Sequence, residues 1–370
     1  MMLSSLPPEI LDLIVNHLHD EPATLKTCCV VSKSWVPRTR QHLFACVEFY
    51  NLKSHIEQWK KAFPDPFNSP AHHTHTLSVY GTSITTADAG WIRPFHNVVH
   101  LKLSRLDTTS LIPFYGLSPT VRSLNLTYTT CNALDLIRSF PLLEDLSLGT
   151  FFPTTGVDGW NTHLTSPKLT GTLDLGTFEG ICLITRRLLD LPGALRFSEI
   201  NTLFFNENAK LVSDLVSRCS DTLEFLTVRY HPQCAFPSAS VISQHLTVAR
   251  IATPDPLLLD LSIAAKLKYL GFLRKGSSVR WISTTLQTVK SKSFQRISIF
   301  QFDPITVEES VCQEWRDLDR LLVRFWTSHS IRPQVVYIAW PGQKDLKDHA
   351  PSLLPELTRR GLVDLVEAIG

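Results

Sequence analysis

The segment Val121-Arg122-Ser123-Leu124-Asn125-Leu126 contains the pattern from which the fold of this chain follows. Leu124 and Leu126 are two residues apart, so both side chains point to one face of a strand while Asn125 points to the other. Val121 adds an apolar residue just before the strand. The segment therefore predicts a short strand with one buried face.

The same apolar pair recurs from residue 74 to residue 340, with first positions 20 to 30 residues apart. A unit of this length leaves room for a helix or an irregular turn between strands, and it cannot bury its apolar face alone. The repeat therefore predicts units that stack into an α/β solenoid. The predicted strands carry the pairs Leu77 and Val79, Leu101 and Leu103, Leu124 and Leu126, Leu146 and Leu148, Leu173 and Leu175, Leu203 and Phe205, Leu226 and Val228, Leu246 and Val248, Leu270 and Phe272, and Ile297 and Ile299.

The end of the chain departs from this repeat. Trp315, Leu318 and Leu322 lie at helical spacing and predict an amphipathic helix, and residues 335–339 predict a buried strand. Residues 341–370 then predict a loop followed by a last helical segment that bends at Gly361. The open apolar end of a solenoid needs a cover, and we expect this segment to provide it. The alternative is a separate binding helix.

The start of the chain predicts three short helices within residues 1–48. Pro7, Pro8 and Pro22 stand where helices begin, a position that suits proline because first-turn amides have no intrahelical acceptor. A module of this size buries too little surface to be stable alone. Apolar residues beyond its own core are therefore expected to contact a partner. The first helix carries them at Ile10, Leu11, Ile14, Val15 and Leu18.

The order and spacing of these residues resemble the F-box, the adaptor-binding motif of F-box proteins. The alternative is an ordinary amphipathic helix near an N-terminus. The shared features are Leu6-Pro7, Glu9, Ile10-Leu11, the spaced Ile14 and Leu18, Leu25 followed by Cys28 and Val31, and the closing Ser32-Lys33-Ser34-Trp35.

In the F-box family this helical trio docks on a Skp-type adaptor, which connects the protein to a cullin-RING ubiquitin ligase. The resemblance implies that this chain has the same two partners and binds an unidentified protein substrate. By position in the motif, the implied adaptor-binding residues are Leu6, Pro7, Ile10, Leu11, Ile14, Leu18, Val31 and Trp35.

The repeats resemble the irregular leucine-rich repeats that follow many F-boxes. They depart from the stricter pattern of that family, in which an asparagine stands five positions after the first strand leucine. In this chain that asparagine occurs once, as Asn208. The number of strands and the curvature of the array therefore stay open.

Composition limits the class of protein. The chain has 370 residues, of which 44% are hydrophobic and 19% charged, with a formal net charge of +2. These values predict a folded chain without the basic surface of a nucleic-acid-binding protein. The 8 cysteines form no C-x-x-C motif, which favours reduced thiols over a disulfide framework or a zinc site. With no signal peptide or bilayer-length apolar run, we expect a cytoplasmic or nuclear protein without a membrane partner.

No motif of known catalytic chemistry is present. The sequence lacks G-x-S-x-G, a phosphate-binding P-loop, H-E-x-x-H and a Gly-rich dinucleotide turn. His72, His73 and His75 are adjacent in a loop-like segment without a neighbouring cysteine or carboxylate, so they favour a solvated cluster over a metal site. We expect a non-catalytic chain without a metal or cofactor.

A substrate surface is expected on the strand face opposite the leucines. Exposed aromatic side chains near arginine and asparagine are typical of protein-binding surfaces. A shift of one residue in the strand register would bury them instead. The predicted substrate-binding residues are Phe204, Phe225, Tyr269 and Phe300.

These features predict an α/β chain in four parts: an F-box at 1–48, a connector at 49–73, a leucine-rich-repeat-like solenoid at 74–340 and a helical C-terminal cap at 341–370. The predicted function is that of the substrate-recognition subunit of a Skp-cullin-F-box ubiquitin ligase. Two alternatives remain. One is a repeat-based scaffold without ubiquitin transfer, and the other is an enzyme or small-molecule sensor with a pocket in the solenoid.

Overall fold

The computed structural model describes most of the chain, which is an α/β protein with parallel strands. Contacts divide it into two compact units, Met1–Lys168 and Leu169–Gly370. This boundary falls inside the segment that the repeat pattern assigns to one array. The described residues are 7–50, 52–81, 88–131, 137–149, 151–153, 167–176, 181–191, 195–205, 208–230, 259–274, 279–301, 308–329, 332–339 and 351–367.

Three helices open the first unit, at the positions predicted from the sequence. They are α1 (Pro8–His17), α2 (Pro22–Val31) and α3 (Val36–Leu43), and each has a proline in its first two positions. Both α1 and α2 pack against α3. The small core between them is formed by Val15, Leu25, Cys28 and Thr39.

Parallel strands follow in the first unit, and their lateral order is their order in the chain. They are β1 (Cys46–Phe49), β2 (Thr76–Tyr80), β3 (His100–Ser104), β4 (Ser123–Thr127) and β6 (Asp145–Leu148), while β5 (Thr129–Cys131) pairs separately with β7 (Phe151–Pro153).

The strands at Leu77, Leu101, Leu124 and Leu146 are confirmed, and these leucines pair in one buried row. β1 was not predicted. Its Val47 and Phe49 are both buried and match the same two-residue pattern, which begins one unit earlier than we expected.

The predicted connector is folded. It contains α4 (Leu52–Ala62) and two short 3-10 turns, Pro66–Asn68 and Pro70–His73. Trp59 of α4 packs its ring against Phe49 of β1 at 5.8 Å and against Phe95 at 5.6 Å. Such aromatic contacts hold a helix against a strand. Further short helical segments of this unit are α5 (Ala89–Ile92), α6 (Thr108–Leu111) and the 3-10 segment Ile112–Leu117.

The second unit repeats the arrangement, again with parallel strands whose lateral order is their order in the chain. Its strands are β8 (Thr172–Leu175), β9 (Glu199–Phe204), β10 (Phe225–Tyr230), β11 (Tyr269–Arg274), β12 (Arg296–Gln301), β13 (Arg332–Ala339) and β14 (Val363–Glu367). Its helices are α7 (Ile181–Leu189), α8 (Ala209–Arg218), α9 (Arg280–Thr288), α10 (Glu309–His329) and α11 (Pro355–Arg359).

The register of β9 differs from the prediction by one residue. Ile200 pairs with both Leu173 and Leu226, so the inward row of β9 is Ile200, Thr202 and Phe204 rather than Leu203 and Phe205. Phe204 is fully buried and stacks on Trp281 with ring centroids 5.7 Å apart. The prediction that Phe204 lies on the exposed face is therefore wrong. The alternating apolar pattern of β9 is hard to recognise in the sequence because Thr202, in the middle of the inward row, is polar. Leu203, on the opposite face, is also buried.

The C-terminal end is a helix followed by a strand, so the predicted helical segment after Gly361 is wrong. Gly361 has φ +65° and ends α11, and the amide of Leu362 donates to the carbonyl of Leu357 at 3.0 Å. A left-handed glycine at this position is a common helix terminator. The chain then enters β14, which pairs with β13. The predicted strand at Leu246 and Val248 and the loop 341–350 lie outside the described residues.

Six cysteines of the described residues are free thiols, as the composition predicted for this part of the chain. Cys219 is fully buried, and burial raises the pKa of its thiol to about 11. A high pKa leaves little reactive thiolate, so Cys219 is a packing residue. The other five are Cys28, Cys29, Cys46, Cys182 and Cys312.

Candidate interaction surfaces

Helix α1 has two apolar faces, of which only one is buried. Val15 faces the core, with Leu11 and Leu18 half-buried beside it at helical spacing. The second face holds residues three and four positions apart, which lie side by side on a helix. These are Ile10, Leu13 and Ile14, with 42%, 56% and 38% of their surface exposed.

Helix α2 ends with two further exposed apolar residues. Leu25 and Cys28 face the core, whereas Val30 and Val31 are 86% and 67% exposed. Exposed aliphatic residues of this number in so small a module indicate a surface for a partner. Leu13 and Val30 were absent from the predicted set, although both are apolar residues directly beside predicted positions.

The structure divides the predicted adaptor-binding residues into two groups. Pro7, Ile10, Ile14 and Val31 are exposed and available for direct contact. The half-buried group, which packs partly within the module, consists of Leu11, Leu18 and Trp35, and Leu6 lies outside the described residues.

The side chain of Asn16 joins α1 to α3 through polar contacts and so fixes which face of α1 points outward. The side-chain oxygen of Asn16 accepts from Nε of Arg38 at 3.0 Å and lies 2.9 Å from Nε2 of His42. Burial, with the nearby charge of Arg38, lowers the pKa of His42. The neutral ring is therefore favoured, and its N–H can donate to Asn16.

A second candidate surface is the polar face of the strands in the second unit. Phe225 of β10 is directly opposite Tyr269 of β11, and their ring centroids are 6.3 Å apart. Phe225 is 41% exposed and Tyr269 is half-buried. Phe300 is half-buried on the same face, farther along β12. The structure thus brings together two of the four predicted aromatic residues.

Charged side chains surround the aromatic pair. Arg296 is opposite Tyr269 in the strand register, and its guanidinium carbon is 5.8 Å from the centre of the tyrosine ring. Lys268 donates to the carboxylate of Glu224 at 2.7 Å. A pocket of about 340 Å³ opens here, lined by Phe225, Lys268, Tyr269, Gln295 and Arg296. Lys268 and Gln295 are not among the residues predicted from the sequence, because neither belongs to the alternating strand pattern.

A half-buried carboxylate, that of Asp174, lies farther across this face. Arg229 of β10 donates to Asp174 of β8 at 3.3 Å. Burial raises the pKa of Asp174, although the charge of Arg229 opposes that rise. We assign this pair a structural role, since it links strands that are not adjacent.

The histidine segment does not form a metal site within the described residues. The rings of His72 and His73 are 3.9 Å apart, and Nδ1 of His72 is 3.0 Å from the carbonyl of Ser69. Across the described ranges, no three His, Cys, Asp or Glu residues are grouped as metal ligands. In the same ranges, every helix is too short or too polar to cross a membrane.

No protein-family model matches the sequence, and no curated protein matches it. The assignment of a function therefore depends on the residues and the geometry of the two surfaces described above.

Proposed function

We propose that this chain is the substrate-recognition subunit of a Skp-cullin-F-box ubiquitin ligase. Its N-terminal helices bind the Skp-type adaptor, and its strand units bind a protein substrate. The observation that carries the proposal is the second apolar face of α1, at Ile10, Leu13 and Ile14, which the module's own helices leave exposed. This face lies in the stretch that resembles the F-box.

The exposed residues can serve as the apolar anchors of an interface. A specific interface buries roughly 1,200 to 2,000 Å² and depends on a few apolar anchors. Covering the exposed part of each aliphatic side chain contributes roughly 1 kcal/mol. The valines at the end of α2 add to the three residues of α1.

The strand units support the substrate-binding half of the proposal. In each unit the strands are parallel and follow chain order, with helices or turns between them. Leucine-rich-repeat-like solenoids have this arrangement, and they present one strand face to partners. We therefore propose that the strand units form a leucine-rich-repeat-like solenoid.

The role of such a subunit is to bring two partners together. A substrate held beside a charged ubiquitin-conjugating enzyme presents its lysines at a high effective concentration. The transfer reaction then takes place on other subunits, and this chain contributes binding alone.

The test is a pull-down of the intact chain and an Ile14→Asp variant, probed for the Skp-type adaptor and the cullin. We expect the intact chain to bind both, and the variant to lose at least about 100-fold in adaptor affinity, because a buried unpaired charge is costly. Ile14 tests the interface more directly than Leu11, because Leu11 packs partly within the module.

The matched control is Ile112→Asp, which places the same charge on an exposed isoleucine in the segment Ile112–Leu117. This variant should bind like the intact chain. Retention of the adaptor by Ile14→Asp would show that the α1 face is not the interface. Adaptor binding without the cullin would favour a scaffold that does not transfer ubiquitin.

A further inference from the structure

The aromatic pair on the second unit occupies a fixed position on the strand face. Phe225 and Tyr269 are directly opposite each other on neighbouring parallel strands, and their rings are tilted by 40°. Aromatic rings that are exposed in this way offer a large contact area at a low cost in conformational entropy.

Gly271 determines where the tyrosine ring lies. It is two residues after Tyr269 on the same face of β11, and a Cβ atom at this position would be 2.9 Å from the tyrosine hydroxyl oxygen and 3.0 Å from Oγ1 of Thr227. A contact under about 3 Å forces one group to move. The ring therefore lies along the strand in space that only a glycine leaves open.

The charge beside the rings is positive. The guanidinium of Arg296 donates to the side-chain oxygen of Gln334 at 2.5 Å, a neutral partner that orients the group without compensating its charge. Lys268 is paired with Glu224. The two charged residues that line the pocket, Lys268 and Arg296, are both cations.

We propose that this pocket binds a short segment of a partner protein in which an acidic side chain adjoins an aromatic or large aliphatic one. Arginine binds carboxylates through two parallel N–H donors, and the Phe225–Tyr269 pair receives the apolar side chain. The volume of about 340 Å³ is at the lower end of ligand pockets, which suits a few side chains. The proposal rests on the proposed function, because it states the substrate class of the receptor.

The charges on this face favour an acidic peptide over a nucleic acid. Glu224 pairs with Lys268 of the pocket and Glu199 is directly opposite Phe225, so phosphates in a continuous strand would meet carboxylates. A peptide needs only one anionic group near Arg296.

The test is selection of a phage-displayed library of random linear heptapeptides on the immobilised full chain. We expect enrichment of peptides with Asp or Glu next to an aromatic or large aliphatic residue. The most enriched peptide, labelled with fluorescein, should bind Tyr269→Ala and Phe225→Ala at least about 30-fold more weakly. When the same library is selected on the Arg296→Glu variant, the enriched peptides should carry Lys or Arg in place of the acidic residue.

A second variant tests the geometry without removing an aromatic side chain. Gly271→Ala displaces only the end of the Tyr269 ring and the Thr227 side chain, so the melting temperature should stay close to that of the intact chain. Peptide affinity should fall at least about fivefold, because the ring no longer lies in the preorganised position.

Matched controls come from the first unit. Arg105 lies over the ring of Tyr128 at the same 5.8 Å, and Tyr128 is half exposed. Tyr128→Ala and Arg105→Glu should leave the peptide affinity unchanged.

Three results would overturn the proposal: no acidic residue in the selected peptides, the same selection on Arg296→Glu, or displacement of the peptide by a thymidine 20-mer. The experiment needs no adaptor, so it separates the two proposals. If acidic peptides are selected but the adaptor does not bind, the pocket proposal is supported and the proposed ligase role is wrong. If the adaptor binds but no acidic peptides are selected, the pocket proposal is wrong.

Discussion

Asn208 shows how one side chain supports the end of a strand. It is fully buried just after β9, its amide nitrogen donates to the carbonyl of Leu203 at 2.8 Å, and its side-chain oxygen accepts from the amide of Phe205 at 2.9 Å. Buried backbone groups need such partners where the strand ladder ends. The residue that resembles the leucine-rich-repeat asparagine is therefore a structural one.

We expect Asn208→Ala to lower the free energy of unfolding by about 2 to 4 kcal/mol, because the buried amide of Phe205 loses its acceptor and the carbonyl of Leu203 loses one of its donors. Urea denaturation followed by circular dichroism measures the loss. The control is Asn125→Ala, which removes a half-buried asparagine whose amide donates to Ser147 at 3.3 Å. This variant should lose less than about 1 kcal/mol. Equal losses would contradict the role of Asn208.

Phe204 and Phe225 show the limit of prediction at the scale of a residue. Both are phenylalanines in short strands, yet Phe204 is fully buried and Phe225 is 41% exposed. The difference is the register, because a shift of one residue turns every side chain to the other face. The leucine pattern was clear in β10 and was concealed by Thr202 in β9.

At the scale of an element, α11 depends on a cap from another helix. Asp319 of α10 is buried, and its carboxylate accepts from the amides of Glu356 and Leu357 at 3.0 Å each. First-turn amides have no intrahelical acceptor, so a carboxylate there stabilises a short helix. Burial raises the pKa of Asp319, and the two N–H donors oppose that rise.

We expect Asp319→Ala to expose α11 to local unfolding. Loss of the cap removes partners from two amides and should speed amide exchange across residues 355–362 at least about tenfold. Hydrogen exchange with mass spectrometry measures the change. Asp317→Ala is the control on the same helix, since Asp317 is exposed and pairs with Arg320 at the surface. A similar increase in this control would contradict the capping role.

Helix α1 shows how far a local apolar pattern predicts structure at the scale of an element. The apolar spacing in residues 10–18 predicts a helix, and the structure confirms it. The same spacing does not tell which apolar residues face the core. That depends on the packing of α1 against α3 and on the contacts of Asn16.

At the scale of the whole molecule, each unit is an array of parallel strands whose lateral order follows the chain, apart from the separate β5–β7 pair. Stability in such an array is close to a sum of repeat and nearest-neighbour contributions. The second unit shows this most fully, because Leu226 is packed in a row between Ile200 and Leu270.

We expect Leu226→Ala to cost about 2 to 5 kcal/mol, because it opens a cavity in the inward row. Amide exchange should increase most in β9, β10 and β11 and least in β13, which is farther along the array. Hydrogen exchange resolved by peptide measures this gradient. The control Ile263→Ala changes an exposed residue of the same unit and should leave exchange unaltered. A uniform increase across the unit would contradict nearest-neighbour stability.

The sequence by itself determined the α/β class, most of the parallel strands and the three N-terminal helices. These features follow from local periodicity and from proline placement, which act over a few residues. The tertiary structure decided the register of β9, the change from helix to strand after Gly361 and the outward face of α1. It also placed Lys268 and Arg296 beside the aromatic pair. Each of these features depends on contacts with strands and helices that are distant in the chain, so no local sequence pattern predicts it.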